Sequence, residues 1–147
     1  MFSTTTQYAL RALLILTEES SEGLVLGRDI AARASIPANY LSKMMLTLAG
    51  AGLVEASRGS NGGYRLLVPP HDLKLLTVVR LFDRQFAPKA CVLGLKNECS
   101  DIAPCSAHTA WKNAKSGLMQ FLEETSLDDI SGGSLELTKP KRRRRTA

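Results

Sequence analysis

Three helical stretches, followed by two short β-like stretches joined through RGSNGG, constrain this chain more than any other feature. Residues 7–19 (QYALRALLILTEE) mix strong helix formers with apolar Leu10, Leu13, Leu14 and Leu16, which predicts a buried first helix. SSEGL breaks it, and RDIAARA follows with Ile30, Ala31 and Ala34 on one face. After a turn at Ser35-Ile36, Pro37 suits the first position of the next helix, where its missing N–H costs nothing. That helix, ANYLSKMMLTLAGA, aligns Leu41, Met44, Met45 and Leu48 and stops at Gly52, a natural residue for a left-handed terminus. LVEAS (53–57) and GYRLLV (63–68) read as strands, and the glycines between them allow the positive φ that a hairpin tip requires. Pro69-Pro70 closes the second strand, and LKLLTVVRLFDRQ (73–85) reads as a short helix.

Helix, short helix, tight turn, helix, hairpin is the order of a winged helix-turn-helix. The expected fold is mainly α with a small β-hairpin, and residues 1–85 form a DNA-binding domain for double-stranded DNA. Such a module needs polar side chains at the start of its second helix, and Asn39, Ser42 and Lys43 occupy the non-core face there. Asn39 suits a base edge, and Lys43 a guanine or a phosphate. In the hairpin, Arg58, Ser60, Asn61 and Arg65 flank or form the tip, placed for phosphates or an adjacent minor groove. Tyr40, beside a core leucine, reads as a packing residue. Modules of this shape also serve protein–protein contacts, so pattern alone leaves a docking role open.

Bulk charge does not decide between them. The 147 residues carry a formal net charge of +5, but residues 1–85 hold nine basic and seven acidic groups, and residues 86–138 hold four and seven. The surplus lies in the last nine residues, KPKRRRRTA. A basic tail over 131–147 reads as disordered. The longest apolar run, Ala12 to Leu16, is far short of the roughly 20 residues that span a bilayer. With no basic n-region or small-residue cleavage site at the start, the expectation is a cytoplasmic protein with no membrane partner.

All three cysteines fall within fifteen residues, in an irregular segment (86–105): Cys91-x7-Cys99-x5-Cys105-x2-His108. An odd, clustered set argues against a disulfide framework and for a metal, cluster or redox site. Thiolates suit an iron–sulfur cluster, zinc or copper(I), and His108 offers an imidazole close to Cys105. An iron–sulfur cluster, a zinc site and a metal-free thiol switch all remain open at this point. Beyond the loop, residues 106–130 form a long helix with an optional short turn at SLDDI. Its positions Trp111, Ala114, Leu118, Phe121 and Leu122 step by three or four, as a dimerisation seam requires. No constellation supports catalysis: His71 stands alone, and the glycine loop joins strands without leading into a phosphate-binding helix. The chain is not expected to be an enzyme.

QYALRALLIL, the stretch PANYLSKMMLTLAGAGLVEASRGSNGGYRL and the ending CSAHTAW resemble the Rrf family of bacterial winged-helix transcription regulators, in its IscR-, NsrR- and RirA-like, iron–sulfur-sensing branch. The resemblance runs from about residue 2 to 130, and its most specific element is the wing GLVEASRGSNGGYRL. It implies a homodimeric regulator, a repressor, whose DNA affinity is set by an iron–sulfur cluster ([2Fe-2S] or [4Fe-4S]) sensing iron, redox state or nitric oxide. It further implies that the helix bearing Asn39, Ser42 and Lys43 lies in the major groove, that Arg58 reaches the minor groove, and that Cys91, Cys99, Cys105 and His108 are ligands. Some members draw a ligand from an N-terminal acid; Gln7 and Tyr8 stand in that neighbourhood here, which favours His108. Ser42 replaces an acidic residue that selects DNA sites in other members, so the operator is not carried over. Two further readings are a zinc or thiol-switch regulator, and a small redox or cluster-transfer protein that docks through its winged helix.

Overall fold

The computed structural model describes residues 1–19, 23–87 and 89–132; the basic run of the tail lies outside these residues. The elements are α1 (Thr4–Glu18), α2 (Gly27–Ala34), α3 (Ala38–Gly50), β1 (Val54–Ser57), β2 (Gly63–Leu66), α4 (Leu75–Phe82), a 3₁₀ turn (Arg84–Phe86), α5 (His108–Glu124) and α6 (Leu127–Ser131). This is the mainly helical winged-helix architecture that the sequence implies. No helix among the described residues is long and apolar enough to cross a membrane.

The first helix is the hub. It starts three residues earlier than the apolar pattern suggests, because the Ser3 hydroxyl accepts from the Thr6 N–H at 3.2 Å. The Ser3 N–H in turn donates to the buried Asp83 carboxylate at 3.0 Å, tying the start of α1 to the end of α4. Ala9, Ala12, Leu13, Ile15 and Leu16 are fully or almost fully buried, and α2, α3, α4, α6 and β2 all pack around them. Arg33 of α2 clamps the end of α1, with guanidinium nitrogens 2.6 and 2.7 Å from Glu18 and Glu19.

The turn into α3 differs from the expectation at one residue. Ser35 takes a left-handed conformation (φ 54°), and Pro37 caps α3 (φ −57°, ψ 133°) just outside its first turn. Proline's fixed φ serves both places equally, so sequence alone does not separate them. At its other end, α3 is stopped as expected, with Gly52 at φ +75°. β1 and β2 then pair antiparallel in the register Val54↔Leu66 to Ser57↔Gly63. Val25 adds a one-residue third rung, exchanging two 2.8 Å backbone bonds with Tyr64 and fixing the wing to the segment before α2.

The chain after the cysteine loop comes back to this body. Thr125 is extended (ψ 127°), so α5 ends there, and Ser126 opens α6 with a reciprocal capping box to Asp129. The short turn expected at SLDDI is thus a five-residue helix reaching Ser131, a residue that the sequence pattern assigns to the tail. Leu127 sits in the main core with 0% exposure, and Leu127 N–H donates to Leu73 at 2.8 Å.

One residue of the expected dimer seam is corrected by this arrangement. Leu122 is 0% exposed inside its own protomer, in a second apolar cluster with Leu75, Leu76, Val79 and Phe86. The hydrophobic stripe of α5 is wide enough to serve two surfaces, and its C-terminal end is taken up by α4. We expect Leu122→Ala to lower unfolding free energy by about 2–5 kcal/mol, as buried leucine truncations do, measured by urea denaturation. A loss under about 0.5 kcal/mol would mean that α5 is not anchored there.

Candidate metal centre and nucleic-acid interface

The candidate DNA-reading face is built first by what α3 hides. With Leu41, Met44, Met45 and Leu48 turned into the core, Asn39, Ser42 and Lys43 are left together on the exposed side. Tyr40 packs, as expected: its ring meets Tyr8 edge-on, with centroids 5.5 Å apart, and its hydroxyl hydrogen-bonds Thr5. That contact locks the start of α3 onto α1. The Ser42 hydroxyl donates back to the Ala38 carbonyl at 3.3 Å, leaving its oxygen free to accept. On the wing, Arg58, Ser60 and Asn61 are exposed at the tip. Arg65 is already engaged, 2.6 Å from its cross-strand neighbour Glu55. Exposed pairs of this kind are worth about 0–1 kcal/mol, so a phosphate can compete for Arg65.

The three cysteines lie in an irregular loop between the 3₁₀ turn and α5. Lys89 and Gly94 turn the chain in left-handed conformations, and Cys99 N–H donates to the Lys89 carbonyl at 2.7 Å. Lys96 ties the loop across itself, donating to the carbonyls of Ala103 and Pro104 at 3.3 Å each. The result brings Cys91, Cys99 and Cys105 Sγ within 4.8 Å of one another, all as free thiols.

Cys99 is the innermost, at 4% exposure, and its sulfur accepts from the Cys105 N–H at 3.3 Å. His108, the first residue of α5, joins the group: Nδ1 is 3.2 Å from Cys99 Sγ. Its Nε2 is 3.0 Å from Asp101 Oδ1, and Asp101 Oδ2 is 2.7 Å from Lys112 Nζ. With Nε2–H donating to the carboxylate, the lone pair of Nδ1 faces the thiols, as a metal ligand's must.

The electrostatics of the loop are uneven. At Cys91, desolvation pushes the thiol up, but hydrogen bonds from the Leu93, Lys96 and Leu95 backbone and from the Cys105 side chain outweigh it, bringing its pKa down to about 7. At Cys105 a backbone bond from Ala107 pulls down, yet desolvation and the neighbouring Cys99 and Cys91 sulfurs leave the thiol raised. Asp101 is held below the usual carboxylate range by its hydrogen bonds to Lys112 and then His108. A thiolate-prone sulfur, two further thiols and an oriented imidazole form a soft donor set, fitted to zinc or to iron–sulfur chemistry.

Sequence reasoning did not find Asp101 and Lys112. The available signal was a carboxylate inside the cysteine loop and a lysine four residues after His108, hence on the same helix face. Further along α5, Ala114, Leu118 and Phe121 stay exposed, and Trp111 is half-buried with its Nε1 lacking any partner among the described residues.

Comparison with known proteins adds the chain's family. The Rrf2 family, described as an iron-dependent transcriptional regulator, matches residues 2–132. The NsrR regulator of Bacillus licheniformis is 35% identical over 125 residues, covering 85% of this chain and 87% of that one. The IscR regulator of Vibrio campbellii is 32% identical over 124 residues, covering 84% and 73%. Among solved structures, T. potens IscR superposes with a TM-score of 0.68 at 28% identity, covering 88% of this chain and 85% of that one. With a family match spanning residues 2–132 and relatives 32–35% identical over most of the chain, the chain belongs to the Rrf2 family of transcriptional regulators.

Proposed function

We propose that the chain acts as a homodimer that binds two-fold symmetric duplex DNA, with its affinity set by an iron–sulfur cluster held by Cys91, Cys99, Cys105 and His108. The observation that carries this reading is the convergence of three free thiols in the loop between α4, part of the DNA-binding body, and α5. The cluster's own chemistry is reversible change with iron supply, redox state or nitric oxide. The chain's part is to hold it: Cys91, the thiolate-prone sulfur near the start of the loop, and Cys105, just before α5, bracket the buried Cys99. Asp101 and Lys112 keep Nδ1 of His108 pointed inward.

Coupling to DNA follows from where the loop is attached. Leu122 pins the far end of α5 to α4, so ordering the loop repositions chiefly the near end of α5. Trp111 and Ala114 at that near end, with Leu118 and Phe121 further along the same stripe, are the residues offered to a second subunit. A change at the seam resets the separation of two α3 helices, which must match half-sites about 34 Å apart. A coupling of about 1–3 kcal/mol alters DNA affinity roughly 5- to 150-fold. We read the protein as a repressor.

The test is anaerobic purification with visible absorbance, iron and acid-labile sulfide quantification, and footprinting with and without iron. Coloured protein with matching iron and sulfide, and a symmetric footprint whose affinity shifts on iron loss, is the expected result. Zinc in place of iron, or a colourless protein whose DNA affinity answers to peroxide alone, would replace the cluster with the zinc or thiol-switch reading. The mutual proximity of the free thiols is what keeps that second reading in view.

A further inference from the structure

α3 carries one side chain that neither the core nor the polar face explains. Leu46 is 74% exposed, in a helix whose other large aliphatic side chains are buried. It follows Ser42 by four residues and Lys43 by three, and so it lies in the middle of the same outward stripe that begins at Asn39. One turn further along the stripe comes Gly50, which also has no internal justification. A Cβ built on Gly50 meets nothing within 4 Å, and its φ is not positive, so neither packing nor backbone conformation within the protomer calls for glycine there. A leucine held in water and a glycine with empty space beside it, on one face, describe a surface shaped for something outside the protomer. That face carries Lys43 and no acid, matching a phosphate-lined groove.

We infer that Leu46 is a base-reading residue, contacting the C5-methyl group of a thymine in the major groove, with Gly50 admitting the DNA backbone close behind it. The inference rests on the DNA-binding reading above and extends it. Along a helix, Leu46 stands about 6 Å beyond Ser42, roughly two base-pair steps further into the groove. The thymine methyl is the one apolar feature in the major groove, and an aliphatic side chain distinguishes it from cytosine, whose edge presents an N4 donor. Hydrogen-bonding residues at Asn39 and Lys43 cannot make that distinction through the methyl.

The test starts from a random 30-base-pair duplex pool, from which the full-length protein, purified anaerobically, selects its own sites. Each thymine of the selected site is then replaced by deoxyuridine, which removes only the methyl group. The wild type should weaken about three- to tenfold at one thymine in each half-site. Leu46→Ala should bind the thymine and deoxyuridine duplexes equally, while keeping the wild-type melting temperature and iron content, since Leu46 packs against no core residue. If no deoxyuridine position weakens the wild type, or if Leu46→Ala suffers the same loss at that position, Leu46 does not read the methyl. A pool from which nothing is enriched would instead overturn the DNA-binding reading itself, and this inference with it.

Discussion

Replacing Cys99 with alanine should strip anaerobically prepared protein of its colour and leave its DNA affinity indifferent to iron. Of the three thiols Cys99 has the most to lose. It is the most buried, it receives the Cys105 N–H, and its sulfur is the atom that His108 Nδ1 faces. The substitution therefore removes one ligand and releases the orientation of two others. Disturbing a partner that merely orients a ligand commonly costs 10- to 100-fold in metal affinity, and loss of the ligand itself costs more. Iron per protomer should drop to roughly a tenth of the wild-type value or less, read by elemental analysis alongside the visible spectrum. The winged-helix body should survive, because Cys99 lies outside both apolar clusters. Unfolding of the iron-free variant should then match that of iron-free wild type within about 1 kcal/mol. Full colour and full iron in Cys99→Ala would remove the thiol loop from the metal site altogether.

The parts of this molecule legible in its sequence are those specified by local pattern. Leu41, Met44, Met45 and Leu48 recur at helical spacing, and so α3 and its outward face follow from periodicity alone. The wing follows from its glycines and from alternation. What periodicity does not contain is which of two surfaces claims a residue. Leu122 sits on the same stripe as Leu118 and Phe121, and only the approach of α4 decides that one is buried and the others are not. Ser3 as a cap and Asp83 as its partner are separated by eighty residues, a pairing that no local window can see. At the thiol loop the three clustered cysteines and the nearby His108 were readable as candidate ligands from composition and spacing. The Asp101–His108–Lys112 chain that aims the imidazole was not, because hydrogen-bond partners in an irregular loop carry no period. Leu46 marks the opposite case. Its place on the polar face follows from the same helical spacing, yet no sequence pattern singles it out, and it acquires meaning only once the structure shows it 74% exposed.

Gly63→Ala should detach the wing, weakening both the fold and DNA binding while sparing the metal site. Gly63 adopts φ +150°, and a Cβ there would stand 2.5 Å from the Val25 carbonyl oxygen and 2.8 Å from the Val25 carbonyl carbon. Both obstacles are backbone atoms of the strand-like segment before α2, so no side-chain rotation relieves the clash. Relief requires separating Tyr64 from Val25 and giving up their two 2.8 Å backbone bonds. Backbone strain of about 1–3 kcal/mol, together with two bonds worth about 1 kcal/mol each, predicts a loss on the order of 3–5 kcal/mol in urea unfolding. Gly59→Ala is the matched control. Its φ is also positive, +102°, but nothing lies within 4 Å of an added Cβ, so only the strain contribution applies. Because Arg58, Ser60 and Asn61 ride on the hairpin, Gly63→Ala should also lower DNA affinity at least tenfold under conditions where the protein is still folded. Iron content should not change, since the thiol loop hangs from the 3₁₀ turn and α5 and makes no use of the wing. Equal urea midpoints for Gly63→Ala and wild type would show that the Val25–Tyr64 rung contributes nothing, and the wing would then have to be held in place by the β1–β2 pairing alone.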